Sequence, residues 1–140
     1  MAGQDETEID IYALELNSGQ VQRLTSGGGW NETGHFSRDD KKIVWLSNNG
    51  YPIDTGSTAR FWWEQQKTDY WTMNSDGSAK TQVTYYNKKG TPDWESVGGR
   101  RTMAEYATWS AGGTRLVGGL VIDNNNGNTS DKIVLIDLNR

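Results

Sequence analysis

The chain has 140 residues, 34% of them hydrophobic and 11% aromatic, which suits one domain with a compact core and excludes a disordered chain. A formal net charge of -4 argues against general nucleic-acid affinity, which needs a clustered basic face, and the absence of cysteine excludes disulfides, thiolate metal sites and thiol catalysis. The apolar runs, such as Leu120-Val121-Ile122 and Ile133-Val134-Leu135-Ile136, are strand-sized and too short for a membrane helix.

Residues 1–8 are polar and acidic and are expected to form a disordered leader, with 9–140 forming the folded part. A first strand is expected at about Ile9 to Leu16. It is apolar on both faces and so should be covered from both sides. Asn17-Ser18-Gly19 makes a tight turn into a more polar edge strand, Val21 to Thr25, and Ser26-Gly27-Gly28-Gly29 marks a crossing to a new sheet. Strands follow at about Thr33 to Ser37 and Lys42 to Ser47, and the latter carries Ile43-Val44-Trp45-Leu46 with no polar face. A long insertion, Asn48 to Thr68, holds Arg60-Phe61-Trp62-Trp63-Glu64. Strands at about Asp69 to Asn74 and Lys80 to Thr84 lead into a second polar connection, Tyr85 to Met103, with Asp93-Trp94-Glu95 and Arg100-Arg101. The last strands are expected at about Glu105 to Ser110, Thr114 to Ile122 and Asp131 to Leu138, with an Asn-rich loop at Asp123 to Ser130 and no convincing helix anywhere.

These strands recur. Asp10-Ile11-Tyr12-Ala13-Leu14-Glu15 with its turn and Gln22-Arg23-Leu24-Thr25 is echoed, at an offset of 59, by Asp69-Tyr70-Trp71-Thr72-Met73-Asn74 and Thr81-Gln82-Val83-Thr84. Phe36-Ser37 followed by Lys42-Ile43-Val44 returns as Trp109-Ser110 followed by Arg115-Leu116-Val117, and Lys132 to Leu138 begins a third copy of the first strand. Repeats of this length are stacked supersecondary units. Four-stranded units apolar on both faces fit propeller blades, each sandwiched between neighbours.

The order "aromatic-Ser, turn, Lys/Arg-Ile/Leu-Val, loop, Asp-Ile/Tyr-aromatic, Gly turn, Arg/Gln-Leu/Val-Thr" resembles the TolB-like (WD-like) β-propeller repeat. The resemblance implies an all-β, partial β-propeller with blade parts at about 9–25, 33–84 and 105–138: two strands of one blade, four of a second and three of a third. Both copies lack the proline of the family's Ser-Pro-Asp-Gly turn, having Ser37-Arg38-Asp39-Asp40 and Ser110-Ala111-Gly112-Gly113. Because propellers close with roughly four to eight blades, the resemblance implies either part of a longer propeller or a subunit completed by other chains.

No nucleophile motif, metal-ligand spacing or cofactor signature is present. His35, the single histidine, begins the strand that the resemblance puts beside the central channel, where a base or ligand would sit; a lone histidine without a carboxylate partner is more often structural. Asp93, Glu95 and Glu105 are near one another in sequence, but nothing fixes their separation. The 123–130 loop suggests a calcium loop, though its glycine is misplaced for one and an Asn-Gly hairpin explains it as well. Asn31-Glu32-Thr33 and Asn128-Thr129-Ser130 match the glycosylation sequon. Three adjacent aromatics, Phe61-Trp62-Trp63, cannot all point inward from a strand.

The expected function is therefore a non-catalytic module for a protein or peptide partner. Its contacts would come from His35, Phe61, Trp62, Trp63, Trp94, Arg100 and Arg101, with no cofactor, metal, nucleic acid or membrane span. A propeller accessory to a hydrolase, as in prolyl-oligopeptidase relatives, and a carbohydrate-processing propeller are the alternatives. Self-association is the physical default for bare blade faces, and a periplasmic or extracellular setting follows from the resemblance alone.

Overall fold

A computed structural model of the chain describes residues 8–53 and 64–139. Among these residues, nine strands form three antiparallel sheets. The first holds β1 (Tyr12–Leu14) and β2 (Val21–Arg23); the second runs β3 (Asn31–Phe36), β4 (Lys42–Ser47), β5 (Asp69–Asn74), β6 (Thr81–Gln82); the third runs β7 (Thr102–Trp109), β8 (Arg115–Asp123), β9 (Thr129–Asp137). Sheets of two, four and three strands in this order are the expected partial propeller.

The sheets stack through β4, whose alternating side chains divide between two cores. Ile43 and Trp45 face the first sheet and pack with Leu24 and Met73, with Ile11, Ala13 and Trp71 against them. Val44 and Leu46 face the third sheet and join Tyr70, Leu116, Leu120, Ile122 and Ile136. The run without a polar face is thus buried on both sides. β1 departs from that expectation: Ile11 and Ala13 pack inward, while Tyr12, Leu14 and Leu16 are exposed, because among the described residues one sheet covers the hairpin, on one face.

The sequence repeat has a hydrogen-bonded counterpart. Parallel bridges join Ile9 to Trp30 and Thr68 to Met103, so the segment entering each third strand is pinned to the first strand of the next blade. Register shifts recur between Glu32 and His35 in β3 and between Ala104 and Ala107 in β7. The signature serines cap the hairpins that follow them: Ser37 Oγ accepts from the Lys42 amide at 3.0 Å, and Ser110 Oγ from the Arg115 amide at 3.1 Å. The turns form without proline, Asp40 and Gly113 taking left-handed φ values of 57° and 68°.

One helix was not expected. α1 (Pro92–Ser96) sits in the polar connection, with the Thr91 side chain accepting from the Trp94 amide and Pro92 at the first turn. Gly98 and Gly99, both at positive φ, end it. The Asn31 sequon is occluded, since Asn31 is buried and its amide donates to Ile9 O at 3.2 Å.

Tyr70 crosses the gap between the second and third sheets, its hydroxyl donating to Gly119 O at 2.5 Å. Its passage requires glycine at 118: a Cβ there would overlap the Tyr70 hydroxyl and ring, whereas a Cβ at Gly119 would meet nothing closer than 3.7 Å. Because the hydroxyl is buried and bonded it cannot swing aside cheaply. Gly118→Ala should therefore lose about 2 kcal/mol or more in urea unfolding, and Gly119→Ala far less; equal losses would show that Tyr70 does not set the spacing of the sheets.

Candidate functional site

Strand direction sorts the loops to two ends. Segments 26–30, 48–53, 85–101 and 124–128 lie at one end, here the upper, and the turns 37–41, 75–78 and 110–114 at the other. His35 lies toward the lower end of β3, exposed, with its carbonyl accepting from Trp109 Nε1 at 3.1 Å. Trp94, Arg100 and Arg101 lie at the upper end, so these sequence-level candidates do not converge with His35. Phe61, Trp62 and Trp63 fall outside the described residues.

The upper rim is built around α1. Trp94 lies half-buried against Gly99, where a Cβ would fall 2.5 Å from the indole. Arg100 donates to Val97 O at 2.8 Å and to Asn124 Oδ1 at 2.6 Å. Arg101 pairs with Asp123 at 3.1 Å and also donates to Gln66 O at 3.1 Å. Both arginines thus fasten the α1 connection to the β8–β9 hairpin. That hairpin is closed by its own bonds, Asn124 N to Asn128 O at 3.0 Å and Asn125 N to Asp123 Oδ1 at 2.8 Å. The Asn125 amide and then Arg101 hold the Asp123 carboxyl below the usual range. Among the described residues, no group of three or more His, Cys, Asp or Glu side chains is arranged to hold a metal ion.

Beside α1 opens a cleft of about 520 Å³, between the β6 edge and the end of β9. Val83, Tyr85, Pro92 and Leu138 give it apolar walls, and Asp93 and Asp137 bring carboxylates to it. The α1 wall is fixed from within: the Tyr85 amide donates to Asp93 at 2.9 Å, Thr91 Oγ1 donates to Tyr85 O at 2.9 Å, and Lys88 Nζ sits 5.5 Å from the Tyr85 ring centre. Sequence reasoning missed this cleft, because its lining comes from three separate segments. The available signal was Thr91-Pro92 followed by Gly98-Gly99, a helix start and stop five residues apart at their inner edges.

Asp69 is the other group that composition could not single out. It is wholly buried, and its carboxylate accepts from Thr84 Oγ1 at 2.9 Å and from the Tyr86 amide at 2.8 Å. Burial outweighs those bonds and pushes its carboxyl up to about 7. A perturbed carboxyl marks a candidate site. Here the repeat supplies a structural role instead, since Asp10 and Thr25 make the same pair 59 residues earlier, at 2.6 Å.

No protein-family model matches the chain, and no curated protein matches it. Among solved structures it is similar to TolB from Acinetobacter baumannii, with a TM-score of 0.58 and 19% identity over 97% of this chain and 26% of that one. It is also similar to a structure named for TolB from Agrobacterium tumefaciens, with a TM-score of 0.55 and 18% identity over 91% of this chain and 42% of that one. The match thus spans 26% of the length of one and 42% of the other, under half of either. Likeness at these identities shows the fold.

A raised carboxyl binds a proton in the folded state that the unfolded chain has already released. Between an ordinary value of 3.8 and about 7, Asp69 therefore makes stability fall as pH rises, and above that window its effect is constant. Urea midpoints measured from acid to neutral pH should show this decline in the wild type and a flatter profile in Asp69→Asn, whose amide oxygen still accepts from Thr84. Parallel profiles would show that Asp69 does not titrate in this window. The described residues carry the fold of a TolB-like partial β-propeller.

Proposed function

We propose that the chain is a non-catalytic propeller module that binds a protein or peptide partner along the cleft that runs from α1 at the upper rim down to the end of β9. The observation that carries this reading is the pre-ordered α1 wall, in which Thr91 and Asp93 hold Tyr85 and the Trp94 amide while the two arginines fasten the connection to the β8–β9 hairpin. Pre-organisation lowers the entropic cost of binding, and aromatic side chains give large contact area for few rotors. Arg100 and Arg101 act in this reading by positioning the rim. The apolar floor between Asp93 and Asp137 suits an extended segment carrying apolar and basic side chains. A periplasmic or extracellular setting accompanies the reading and rests on the resemblance to TolB propellers.

Peptides selected from a displayed random library against the wild-type chain should be enriched in such segments. They should bind Tyr85→Ala and Asp137→Asn about tenfold or more weakly, by loss of buried contact and of a charge-assisted bond. Peptides that bind wild type and both variants alike would overturn the assignment of the cleft.

A second copy of the chain is the other partner in this reading. Val117 pairs with Leu135 and Gly119 with Ile133 across the outer face of the third sheet, and Tyr106 lies beside Gly119. Ile133 is 80% and Leu135 65% exposed. A contiguous apolar sheet face of this kind drives association. Light scattering over a concentration series should give a mass that rises above that of one chain, and Leu135→Lys should return it to one chain with unfolding unchanged. A single-chain mass throughout would remove self-association.

A further inference from the structure

β9 is the outer strand of the third sheet, and its far edge is open among the described residues. Backbone bonds at both ends show which of its residues face β8: Asn124 N donates to Asn128 O at 3.0 Å, and Leu138 N to Thr114 O at 2.9 Å. Between these points the pairing runs without a register shift, from Asp123 opposite Thr129 to Arg115 opposite Asp137. Successive residues of an antiparallel strand bond to opposite sides, so the even-numbered residues of β9 turn their N–H and C=O groups to β8. Ile133, Leu135 and Asp137 turn theirs to the open edge.

The other two sheets show what such an edge holds. Tyr70 lies opposite Leu46 as Ile133 lies opposite Gly119, the equivalent position in the repeat. Tyr70 O accepts from Val83 N at 2.8 Å and Asn74 N donates to Ser78 O at 2.9 Å, so β6 and its turn cover the edge of β5. At the same places in the first sheet, Ile11 O accepts from Leu24 N at 2.8 Å and Glu15 N donates to Gln20 O at 2.9 Å. Ile133 and Asp137 are the third members of these two series. Because the third sheet stacks on the second, a fourth strand beside β9 would lie over β6. The space there is the cleft, lined by Gln82 and Val83 from the second sheet, Asp137 from β9 and Pro92 from α1.

β9 also lacks the devices that blunt an edge. It is nine residues long with no proline and no bulge, and its one lysine, Lys132, donates to Ser96 O on α1 at 3.3 Å. A row of unmet backbone groups is a template for another strand. Charge selects the occupant: Asp131 and Asp137 stand at either end of the row, and Asp93 lines the cleft. Asp137 is shared with Arg115 only at 3.9 Å, with both side chains more than half exposed. Such an edge repels a second copy of itself and attracts a basic segment. We propose that an extended segment with apolar and basic side chains adds to the third sheet as its fourth strand, antiparallel to β9, its backbone bonded to Ile133, Leu135 and Asp137. This rests on the cleft reading and adds to it the mode of recognition, main-chain pairing. From residue 133 to 137 the strand rises about 14 Å, room for a partner strand of about five residues.

The probe is the tightest peptide from the displayed library, added at saturation to the intact nitrogen-15-labelled chain. The Ile133 and Leu135 amides, which face solvent in the free chain, should exchange about tenfold or more slowly and show contacts to the peptide backbone in isotope-filtered NMR spectra. Methylating the peptide nitrogens one at a time should weaken binding about tenfold at alternate positions and far less between them. Leu135→Pro removes one outward donor where an edge strand tolerates proline, and should weaken binding by a similar factor with the urea midpoint kept. If that variant unfolds, exchange and methylation decide alone. A peptide that binds Tyr85→Ala more weakly yet leaves both amides exchanging freely, or tolerates methylation at every position, would overturn the pairing and leave the cleft reading standing. A library that yields no cleft binder would overturn both. Protection of the same amides that grows with the concentration of the chain alone would assign the edge to a second copy and overturn the proposal as well.

Discussion

Four consecutive side chains of β4 set the terms for everything around them. Ile43 and Trp45 leave the sheet on one side, Val44 and Leu46 on the other, and all four are buried. Each is worth about 1.5–3 kcal/mol when removed from water, so a strand of this composition is stable only between two other layers. The first hairpin and the third sheet are those layers. The docking of the third sheet on the second brings the end of β9 beside β6 and α1, and the cleft lies between them.

Apolar burial alone does not set how the layers are aligned, and polar braces do that work. Asp10 with Thr25 and Asp69 with Thr84 tie the start of a third strand to the end of a fourth at the same point in successive blades. A buried carboxylate is a poor source of stability and a good source of registry, because any other alignment would strand it without donors. The third sheet breaks the pattern: β9 pairs with β8 as β5 does with β4, yet Lys132, opposite Leu120, occupies the place held by Asp69 opposite Ser47. Its ammonium donates instead to Ser96 O, fastening β9 to α1. One substitution in the repeat thereby couples a blade to the rim beside the cleft.

The repeat made most of the architecture legible. Two runs matching at an offset of 59, with aromatic-Ser signatures between them, require stacked equivalent sheets, and the paired bridges at Ile9 and Thr68 show the same spacing in hydrogen bonds. Exposure was less legible. Tyr12 and Leu14 are as apolar as their inward neighbours, and only the number of layers decides which face meets solvent. α1 escaped notice because five residues are too few for a helical period to emerge, leaving only its capping residues as a sign. Arg100 and Arg101 read in the sequence as contacts for a partner, and their structural bonds were not legible because Asn124 and Asp123 lie across a turn and a sheet.

Layers that touch only their neighbours also divide the cooperativity of the molecule. The second sheet is packed on both faces, while the first hairpin and the third sheet each have one packed face among the described residues. In such a one-dimensional stack, opening begins at the ends and moves inward. Amide exchange would then be slowest at Val44 and Tyr70 and quicken toward β1 and β9, giving a gradient of local unfolding. The loops of the rim are anchored to β7 and β8 and share the third sheet's weaker protection. The layer that preserves the fold thus lies inside the two layers that open first.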